Sequence, residues 1–352
     1  MVSITIVTWN SAAHLRECLA SVARQDDPGF EVIILDNAST DETRDILREY
    51  RARFRVIYNA RNIGFAAGQN EAIRAARGEW ILCLNPDLLL PPDFVSQLLA
   101  AGEAHPEAGA VCGKLLRWKP QDSSERSNVI DSVGVYFTRN MRHLDRGAEE
   151  IDHGQFDRMQ YVFGATGAAV MFRREFIDAV TVDREFFDEE FFSYREDADL
   201  AWRAQLMGYR FLYTPNAVAW HVRRVTPERR ENLPHVINWH SVKNRWLMRA
   251  KNASWWLRFR LAVPVLWRDA QAFGYALLRD RAMLSACLYQ FRPEVRQRLR
   301  RKRHIIQSRR KISDRQLLWW FSNTPRAIDI VQPAHALQPE YAIHGLAAGE
   351  RP

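Results

Sequence analysis

The chain has 352 residues, of which 47% are hydrophobic and 26% are charged, an ordinary globular balance that allows one large domain or two smaller ones. The formal net charge is +8, and the excess is concentrated in a basic run at residues 292–311, where Glu294 is the only acid. This run predicts an anionic partner: a membrane surface, a phosphate-bearing substrate or nucleic acid. Neither a zinc site nor a disulfide framework is indicated, because no CxxC pair occurs among Cys18, Cys83, Cys112 and Cys287.

Residues 1–115 alternate between strand-like and helix-like segments. The chain enters the first strand at once, without the basic region and long apolar core of a signal peptide, which favours a cytoplasmic protein. Apolar, β-branched runs predict strands at 2–9, 30–39, 55–60, 79–85 and 108–116. Helical spacing predicts helices at 11–25, 39–50, 66–78 and 92–106. This alternation predicts an α/β fold with a mostly parallel sheet and helices on both faces.

Local signals mark the ends of three of these helices. Ser11 is the expected N-cap of the first helix. Ser39 and Glu42 have the spacing of a capping box for the second helix. Gly78 is expected to end the third helix.

The chain after residue 116 is less regular. Residues 117–160 are polar without clear periodicity, and we expect a loop that includes a hairpin. Residues 161–180 predict a turn of small residues, a strand and a helix. Residues 187–222 predict an acidic, aromatic loop, a helix at about 196–207 and two short strands. From about residue 225 the chain is basic and Trp-rich, with helical spacing.

Carboxylates follow two of the predicted strands at the point where each strand ends. In parallel sheets ligands bind outside the carboxyl ends of the strands, so we expect Asp36 and Asp87 to converge on one crevice. Asp87 either caps a turn or holds a divalent cation that also grips a diphosphate. For Asp36, a nucleobase or ribose partner is the favoured interpretation. His221 is either a core histidine or a further ligand of the same cation.

Gly64 and Gly68 stand before the third helix, where a turn permits close backbone approach and offers N–H groups to a phosphate. The pattern is neither a GxGxxG fingerprint nor a P-loop. The glycines of this chain therefore do not match those of an enzyme that binds a nicotinamide cofactor.

Three acids, Glu196, Asp197 and Asp199, fall in one predicted helical turn. Acids in a first turn meet the helix dipole favourably, which is one explanation for them. Four bulky rings come just before them: Phe187, Phe191, Phe192 and Tyr194. A carboxylate partly desolvated by such rings gains basicity, so this stretch also predicts a general base.

Six ordered stretches resemble glycosyltransferase family 2, and most closely its rhamnosyltransferase-like branch: "ITIVTWN", "VIILDNASTD", "NIGFAAGQN", "LNPD", "GAAVMFRRE" and "FFSYREDADLAWRA". The resemblance implies a GT-A fold over residues 1–225, with a nucleotide-sugar-binding half at 1–115 and an acceptor and catalytic half at 116–225. It also implies a nucleoside-diphosphate-sugar donor, Mg²⁺ or Mn²⁺, and inversion at the anomeric carbon.

Site roles also follow from the resemblance. The nucleotide-sugar positions are Thr8, Asn10, Asp36, Arg61, Asn62, Gly64, Gly68, Asn70 and Asn85. Asp87 takes the metal position and His221 that of a further metal ligand. Asp197 takes the position of the base, with Gly167 and Glu196 on the acceptor side. The DxD element is Asn85-Pro86-Asp87 here, so one negative charge is missing and weaker metal binding is expected.

Residues 226–352 are expected to form a helical extension rich in Trp and Arg. Its apolar stretch 254–278 is interrupted by charges at Arg258, Arg260, Arg268 and Asp269, so it does not predict a spanning helix. It is either a core helix or an interfacial helix, and the basic run would add attraction to anionic lipid. The favoured interpretation is a cytoplasmic protein peripheral on the inner face of the cell membrane.

The partners follow from the same resemblance. dTDP-rhamnose is the favoured donor, with UDP-sugars and GDP-sugars as alternatives, and the acceptor is a saccharide or a lipid-linked saccharide. The rival from another class is a nucleic-acid-binding protein that uses the basic run. No nucleic acid is expected, because no recognised binding motif is present.

Overall fold

The computed structural model describes residues 1–26, 29–118, 127–223 and 235–330. The strands are β1 (Val2–Thr8), β2 (Phe30–Asp36), β3 (Arg55–Tyr58), β4 (Trp80–Leu84), β5 (Leu88–Leu89), β6 (Ala108–Arg117), β7 (Ile130–Ser132), β8 (Val135–Phe137), β9 (His143–Asp145), β10 (Gln160–Val162), β11 (Ala169–Arg173), β12 (Arg210–His221) and β13 (Ile328–Asp329). The helices are α1 (Ala12–Val22), α2 (Thr43–Tyr50), α3 (Phe65–Ala75), α4 (Phe94–Ala104), α5 (Arg174–Val180), α6 (Glu196–Leu206), α7 (His235–Asn252), α8 (Trp255–Arg260), α9 (Ala262–Leu278), α10 (Ala282–Leu288), α11 (Pro293–Ser308) and α12 (Asp314–Trp320).

The main sheet has the strand order β13-β10-β12-β6-β11-β4-β1-β2-β3. β1 runs parallel to β2 and β4, and β6 runs parallel to β12, whereas β11 is antiparallel to both β4 and β6. Every residue of β1 and β4 is buried, and apolar clusters cover both faces of the sheet. The predicted α/β fold, with a mostly parallel sheet and a helical C-terminal region, is confirmed.

The strand register brings the ends of several strands to one edge. Thr8 pairs with Asp36, and Leu84 of β4 pairs with Ala169 of β11. Because β11 is antiparallel, it begins where β4 ends. The loop before β11 therefore lies beside the carboxyl ends of β1, β2 and β4, where ligands bind in such sheets.

Three local predictions need correction. Ser11 occupies the N-cap position of α1, but its side chain makes no capping hydrogen bond. The predicted capping box of the second helix is absent, because the Ser39 hydroxyl accepts instead from Asn10 N at 2.9 Å. Asn10 has a φ of 48°, in the left-handed region. The Ser39 hydroxyl is thus bonded to the turn at Asn10 and does not cap the second helix. The third helix ends at Ala75 rather than at Gly78.

The region 117–160 contains the expected hairpin, formed by β8 and β9. β7 adds to the main sheet by pairing with β6. Residues 119–126 lie outside the described part of the chain. The predicted loop therefore contains short strands. Two of them, β7 and β9, each carry an aspartate that belongs to the site described below.

The C-terminal helices pack directly on the α/β part. The core cluster that holds Trp202 of α6 also holds the C-terminal residues Leu247, Met248, Leu257, Val295, Ile306 and Leu317. β13 pairs with β10 and so extends the main sheet. The predicted boundary at 225 falls within 224–234, outside the described residues. Residues 235–330 thus share one core with the sheet.

A buried cluster of charges joins these helices to residues 185–199. Lys251 of α7 is 1% exposed and binds both Asp188 and Asp199, with 2.9 Å between Nζ and Asp199 Oδ2. Lys302 of α11 binds Asp188 at 2.7 Å and Glu185 at 2.6 Å. The two lysine charges lower the pKa of Asp188 despite its burial, which by itself raises that pKa. Asp188 is thus held ionised, and its ion pairs with Lys251 and Lys302 attach the C-terminal helices to the loop before α6.

The basic run forms most of α11, and much of its charge is used within the chain. Arg298 pairs with Glu190 and Arg301 pairs with Asp183. Arg303 donates to main-chain carbonyls near the end of α7. Part of the basic run is therefore already paired, and this reduces the charge available to nucleic acid or to another anionic partner.

Replacing Lys251 by methionine should destabilise the fold strongly. The change leaves Asp199 buried without its ammonium partner, and breaking a buried pair in this way costs about 3–5 kcal/mol. Urea unfolding measures the loss. The matched control is Arg296→Gln on the exposed side of α11, where we expect a change within about 0.5 kcal/mol. Equal unfolding midpoints for the two variants would mean that the buried ion pairs of Lys251 do not stabilise the fold.

Candidate active site

The end of β4 and the start of α6 meet through one short loop. Asn85 N, just after β4, donates to Ala168 O at 2.8 Å. Gly167 N, one residue earlier, donates to Asp197 Oδ2 at 3.0 Å. The structure therefore brings together three of the predicted site residues, from distant parts of the chain: Asn85, Gly167 and Asp197.

Asp87 and His221 also meet, because β5 pairs antiparallel with the end of β12. Nε2 of His221 lies 3.4 Å from Asp87 Oδ1. Nδ1 of His221 lies 2.8 Å from Asp131 Oδ2. His221 therefore stands between two carboxylates, one predicted from the sequence and one not.

Asp131 belongs to a charge network that sequence reasoning missed. Arg223 binds Asp131 Oδ1 at 3.1 Å and Asp145 Oδ2 at 2.6 Å. Asp131 lies in β7 and Asp145 lies in β9, within the region expected to be a loop. The available signal was an acid inside the apolar run "VIDSVGVYF", which is unusual for a buried strand.

The network shifts the pKa values of its members. Burial alone lowers the pKa of His221, but the charge of Asp131 and hydrogen bonds to Asp131 and Asp87 outweigh it and raise the pKa to about 10. Burial alone raises the pKa of Asp131, but the charges of His221 and Arg223 outweigh it and lower that pKa. Burial raises the pKa of Asp145, against the opposing charge of Arg223.

The carboxylate pair at the start of α6 differs in environment. Glu196 is buried, and its Oε2 has no hydrogen-bond partner among the described residues. Burial, followed by the charge of Asp197, raises the pKa of Glu196 to about 8. Asp197 is half-buried, and burial also raises its pKa, although Gly167 N and Ala198 N donate to its oxygens. Asp197 is thus an accessible carboxylate of increased basicity, as expected for a base.

The loop before α6 holds an unusual backbone shape. Phe192, Tyr194 and Arg195 all have positive φ, between 64° and 72°. Arg195 donates through Nε to Ser241 O at 2.7 Å, and its Nη1 lies 2.9 Å from His143 Nδ1. Contacts from α7 and the β8–β9 hairpin therefore hold the residue just before the carboxylate pair.

Asp36 lies at the same edge, but its side chain is turned inward. It is fully buried, and its Oδ1 accepts from Thr8 Oγ1 at 3.1 Å. Its Oδ2 accepts from Arg44 Nε at 2.8 Å and from Ser39 N at 3.2 Å. The direct contact of Asp36 with a base or ribose stays a prediction, because the structure shows only the intrachain partners of this carboxylate. Asp36 supports the turn that carries Asn10, which is exposed at the rim.

The loop before α3 is locked by amide side chains. Asn37 Nδ2 donates to Gly64 O at 3.0 Å, and Asn62 Oδ1 accepts from Gly64 N at 2.8 Å. Gly64 has a φ of +88°, and an added Cβ would lie 2.6 Å from Phe192 Cδ2. Only glycine fits there. Arg61 is exposed in the same loop, where a ligand can reach it.

Gly68 and Asn70 have packing roles within α3. An added Cβ on Gly68 would lie 3.0 Å from Val7 Cγ1, so Gly68 lets the helix approach β1 closely. Asn70 is buried, and it accepts from Phe187 N and donates to Phe187 O, both at 2.8 Å. Their predicted nucleotide-sugar role stays a prediction beside these packing contacts.

The donor set fits a divalent cation only in part. The described residues include no group of three His, Cys, Asp or Glu side chains able to hold a metal ion by themselves. Asp87 and His221 could supply two ligands. Asp131 on Nδ1 is the carboxylate partner that a metal-binding histidine usually has. A bound diphosphate and water would supply the remaining ligands.

The raised pKa of Glu196 predicts a pH-dependent stability. A carboxyl whose pKa rises from 4.5 to about 8 on folding stabilises the fold fully below its unfolded pKa, and this contribution is lost as the pH rises through about 8. Glutamine does not titrate, so the Glu196→Gln variant does not lose this stability as the pH rises. Its free energy of unfolding relative to wild type should therefore increase by at least about 1 kcal/mol between about pH 5 and about pH 9.

Denaturant unfolding at several pH values measures this difference. The control is Glu294→Gln, an exposed position in the first turn of α11, for which we expect a constant difference. A constant difference for Glu196→Gln as well would mean that Glu196 is not desolvated.

Comparison with known proteins identifies relatives of the chain. The profile described as Glycosyl transferase family 2 matches residues 3–181, which is more than half of the chain. N-acetylglucosaminyl-diphospho-decaprenol L-rhamnosyltransferase of Mycobacterium tuberculosis is 25% identical over 327 residues, covering 87% of this chain and 98% of that protein. Poly-beta-1,6-N-acetyl-D-glucosamine synthase of Staphylococcus epidermidis is 23% identical over 225 residues, covering 62% of this chain and 49% of that protein.

A solved structure shares the fold. The crystal structure of S. aureus TarS 1-349 gives a TM-score of 0.52 at 16% identity, covering 88% of this chain and 87% of that chain. This likeness shows a shared fold. The chain therefore belongs to glycosyltransferase family 2 and has the GT-A fold.

Proposed function

We propose that this chain transfers a sugar from a nucleoside-diphosphate donor to a saccharide acceptor in cell-wall or surface polysaccharide synthesis. The favoured donor is dTDP-rhamnose, with UDP-sugars as the alternative, and the favoured acceptor is a lipid-linked diphosphate saccharide. The observation that carries the proposal is the position of Asp197, held by Gly167 N beside the end of β4. The activity after which the mycobacterial relative is named supports rhamnose and the lipid-linked acceptor.

Asp197 acts as the general base. Its Oδ2 removes the proton of the acceptor hydroxyl as that oxygen forms a bond to the anomeric carbon. The bond from that carbon to the diphosphate oxygen breaks on the opposite face, so the nucleoside diphosphate leaves with the electron pair and the configuration inverts. The raised pKa of Asp197 increases its affinity for this proton.

Glu196 and Gly167 shape the acceptor side. With a pKa of about 8, Glu196 is largely protonated at neutral pH, so the pair carries one negative charge rather than two. Gly167 N keeps Asp197 Oδ2 aimed toward the edge of the sheet. Protonation of Glu196 therefore keeps a second charge away from the base.

Asp87 and His221 are the proposed ligands of Mg²⁺ or Mn²⁺, and Asn85 stands two residues before Asp87 in the chain. A bound cation would neutralise charge on the leaving diphosphate. To serve as a ligand, His221 must present an unprotonated Nε2, while Asp131 continues to accept from Nδ1–H. Arg223, which is fixed by two acids, contributes further positive charge next to this pair.

Membrane attachment and a location on the inner face of the cell membrane belong to the same proposal. The described helices include none that is both long enough and apolar enough to cross a bilayer. A lipid-linked acceptor would require the enzyme to work at the membrane surface.

Incubating the purified chain with Mn²⁺ and a panel of dTDP-, UDP- and GDP-sugars tests the function directly. We expect dTDP-rhamnose to be consumed fastest in the presence of a lipid-linked diphosphate saccharide. In Asp197→Asn, transfer should fall by about 10²–10⁴-fold, because the base is lost, while the Kd of the donor in calorimetry stays within about threefold. Equal loss of donor affinity would refute the base role, and consumption of no sugar nucleotide would refute the function.

Asp131→Asn tests the metal proposal without using activity. The change weakens the carboxylate that orients His221, so the affinity for Mn²⁺ in the presence of dTDP should fall by about 10–100-fold in calorimetry. The matched control is Asp93→Asn, an exposed position before α4, which should leave the affinity unchanged. Unaltered Mn²⁺ binding in a folded Asp131→Asn protein would remove His221 from the ligand set.

A further inference from the structure

One side of α8 and α9 presents a continuous apolar surface. We call it the α8–α9 face, and its members, each 49–82% exposed, are Phe259, Val263, Leu266, Trp267, Leu277 and Leu278. The five that belong to α9 fall within about 120° of the helix circumference at 100° per residue. Single exposed apolar residues are ordinary, but a contiguous stripe of this size marks an interaction surface.

The opposite side of α9 is anchored, so the direction of the face is set by the fold. Asp269 accepts from Arg249 Nη2 at 2.8 Å and also pairs with Arg245 of α7. Val265 packs on the hydrophobic core, and Ala276 is buried. These three residues of α9 lie on one side of the helix, away from the α8–α9 face.

A pocket of about 430 Å³ opens next to this face, between α8, α9, α12 and the turn of the β8–β9 hairpin. We call it the arginine pocket, because four of its lining residues are Arg139, Arg260, Arg315 and Arg326. None of the four makes an ion pair with an acid of the described residues. Trp319 lines the same pocket, and its ring lies 5.2 Å from the guanidinium carbon of Arg326.

The pocket and the face form one surface. Arg260 is the last residue of α8, and Pro264, in the first turn of α9, also lines the pocket. Guanidinium groups without carboxylate partners are suited to phosphate oxygens. Exposed aromatic and aliphatic residues beside arginines are typical of helices that lie in the headgroup region of a bilayer.

We propose that the α8–α9 face and the arginine pocket together form a docking surface for an anionic phospholipid bilayer. The apolar residues enter the boundary between headgroups and acyl chains, and the pocket binds lipid phosphate. This assignment differs from one based on the basic run, because much of the charge of α11 is already paired within the chain. It also stands independently of which sugar is transferred.

Charge favours a bilayer over a second copy of this chain. In a two-fold dimer the same patch meets itself, so the four arginines of one copy would face those of the other. Like charges at such a contact oppose association, whereas an anionic lipid surface attracts them. The occupant that complements both the apolar stripe and the unpaired arginines is a lipid with a negative headgroup.

Flotation of the full chain with vesicles tests the proposal. Vesicles of phosphatidylcholine mixed with phosphatidylglycerol should bind the chain at least about tenfold more tightly than pure phosphatidylcholine vesicles. Arg139→Gln combined with Arg315→Gln should weaken binding by about twenty-fold or more, at about fivefold for each charge. Trp267→Ser combined with Leu278→Ser should also abolish most binding. All four positions are exposed, so unchanged unfolding midpoints can verify that the variants fold.

The matched control removes the same charge elsewhere, through Arg296→Gln and Arg300→Gln on exposed positions of α11. It should weaken binding by less than about threefold. Equal loss in this control would show general attraction by the basic run and overturn the proposal. The proposal also fails if the Trp267 and Leu278 variant floats like wild type, or if that variant changes only the oligomeric state in gel filtration. No donor or acceptor is present, so this failure is distinct from a failure of the proposed transfer.

Discussion

The hydrogen bond from Gly167 N to Asp197 Oδ2 is the contact on which the site depends. It exists because β11 runs antiparallel to β4, which places the loop before β11 beside the end of β4. A sheet of parallel strands alone would bring only the strand ends to this edge. The reversed strand adds a loop whose backbone N–H aims a carboxylate from α6 at the same place. The catalytic interpretation therefore follows from topology as much as from the acidic motif.

The C-terminal helices complete this arrangement rather than merely following it. Lys251 and Lys302 neutralise Asp188 and Asp199, which lie on either side of the strained loop before α6. Asn244 of α7 donates to three carbonyls of that loop, from Phe191, Ser193 and Tyr194. Positive φ values in a loop persist only where the surroundings hold them. The orientation of the carboxylate pair is thus maintained from a region more than forty residues further along the chain.

Much of this could be predicted from the sequence, for physical reasons that are visible in single residues. A polar residue after a buried strand had to lie at the sheet edge, which located Asp87, and the family resemblance located Asp197. Asp131 and Asp145 could not be placed, because they reach the site through β7 and β9, short strands with no clear period. The inward turn of Asp36 depends on Arg44 of α2, a long-range partner that no local pattern specifies. The ion pairs that the basic run makes with Asp183 and Glu190 could not be predicted, because charge alone does not reveal distant partners.

The central claim is that one edge of the sheet holds the diphosphate of an activated sugar near Asp87 and His221 and its anomeric carbon near Asp197. A crystal structure of the chain with a nucleoside-diphosphate sugar and Mn²⁺ tests this most directly. The account predicts the diphosphate beside Asp87 and His221, with the sugar between them and Asp197. A nucleotide bound away from this edge, with Asp197 facing no sugar, would contradict it.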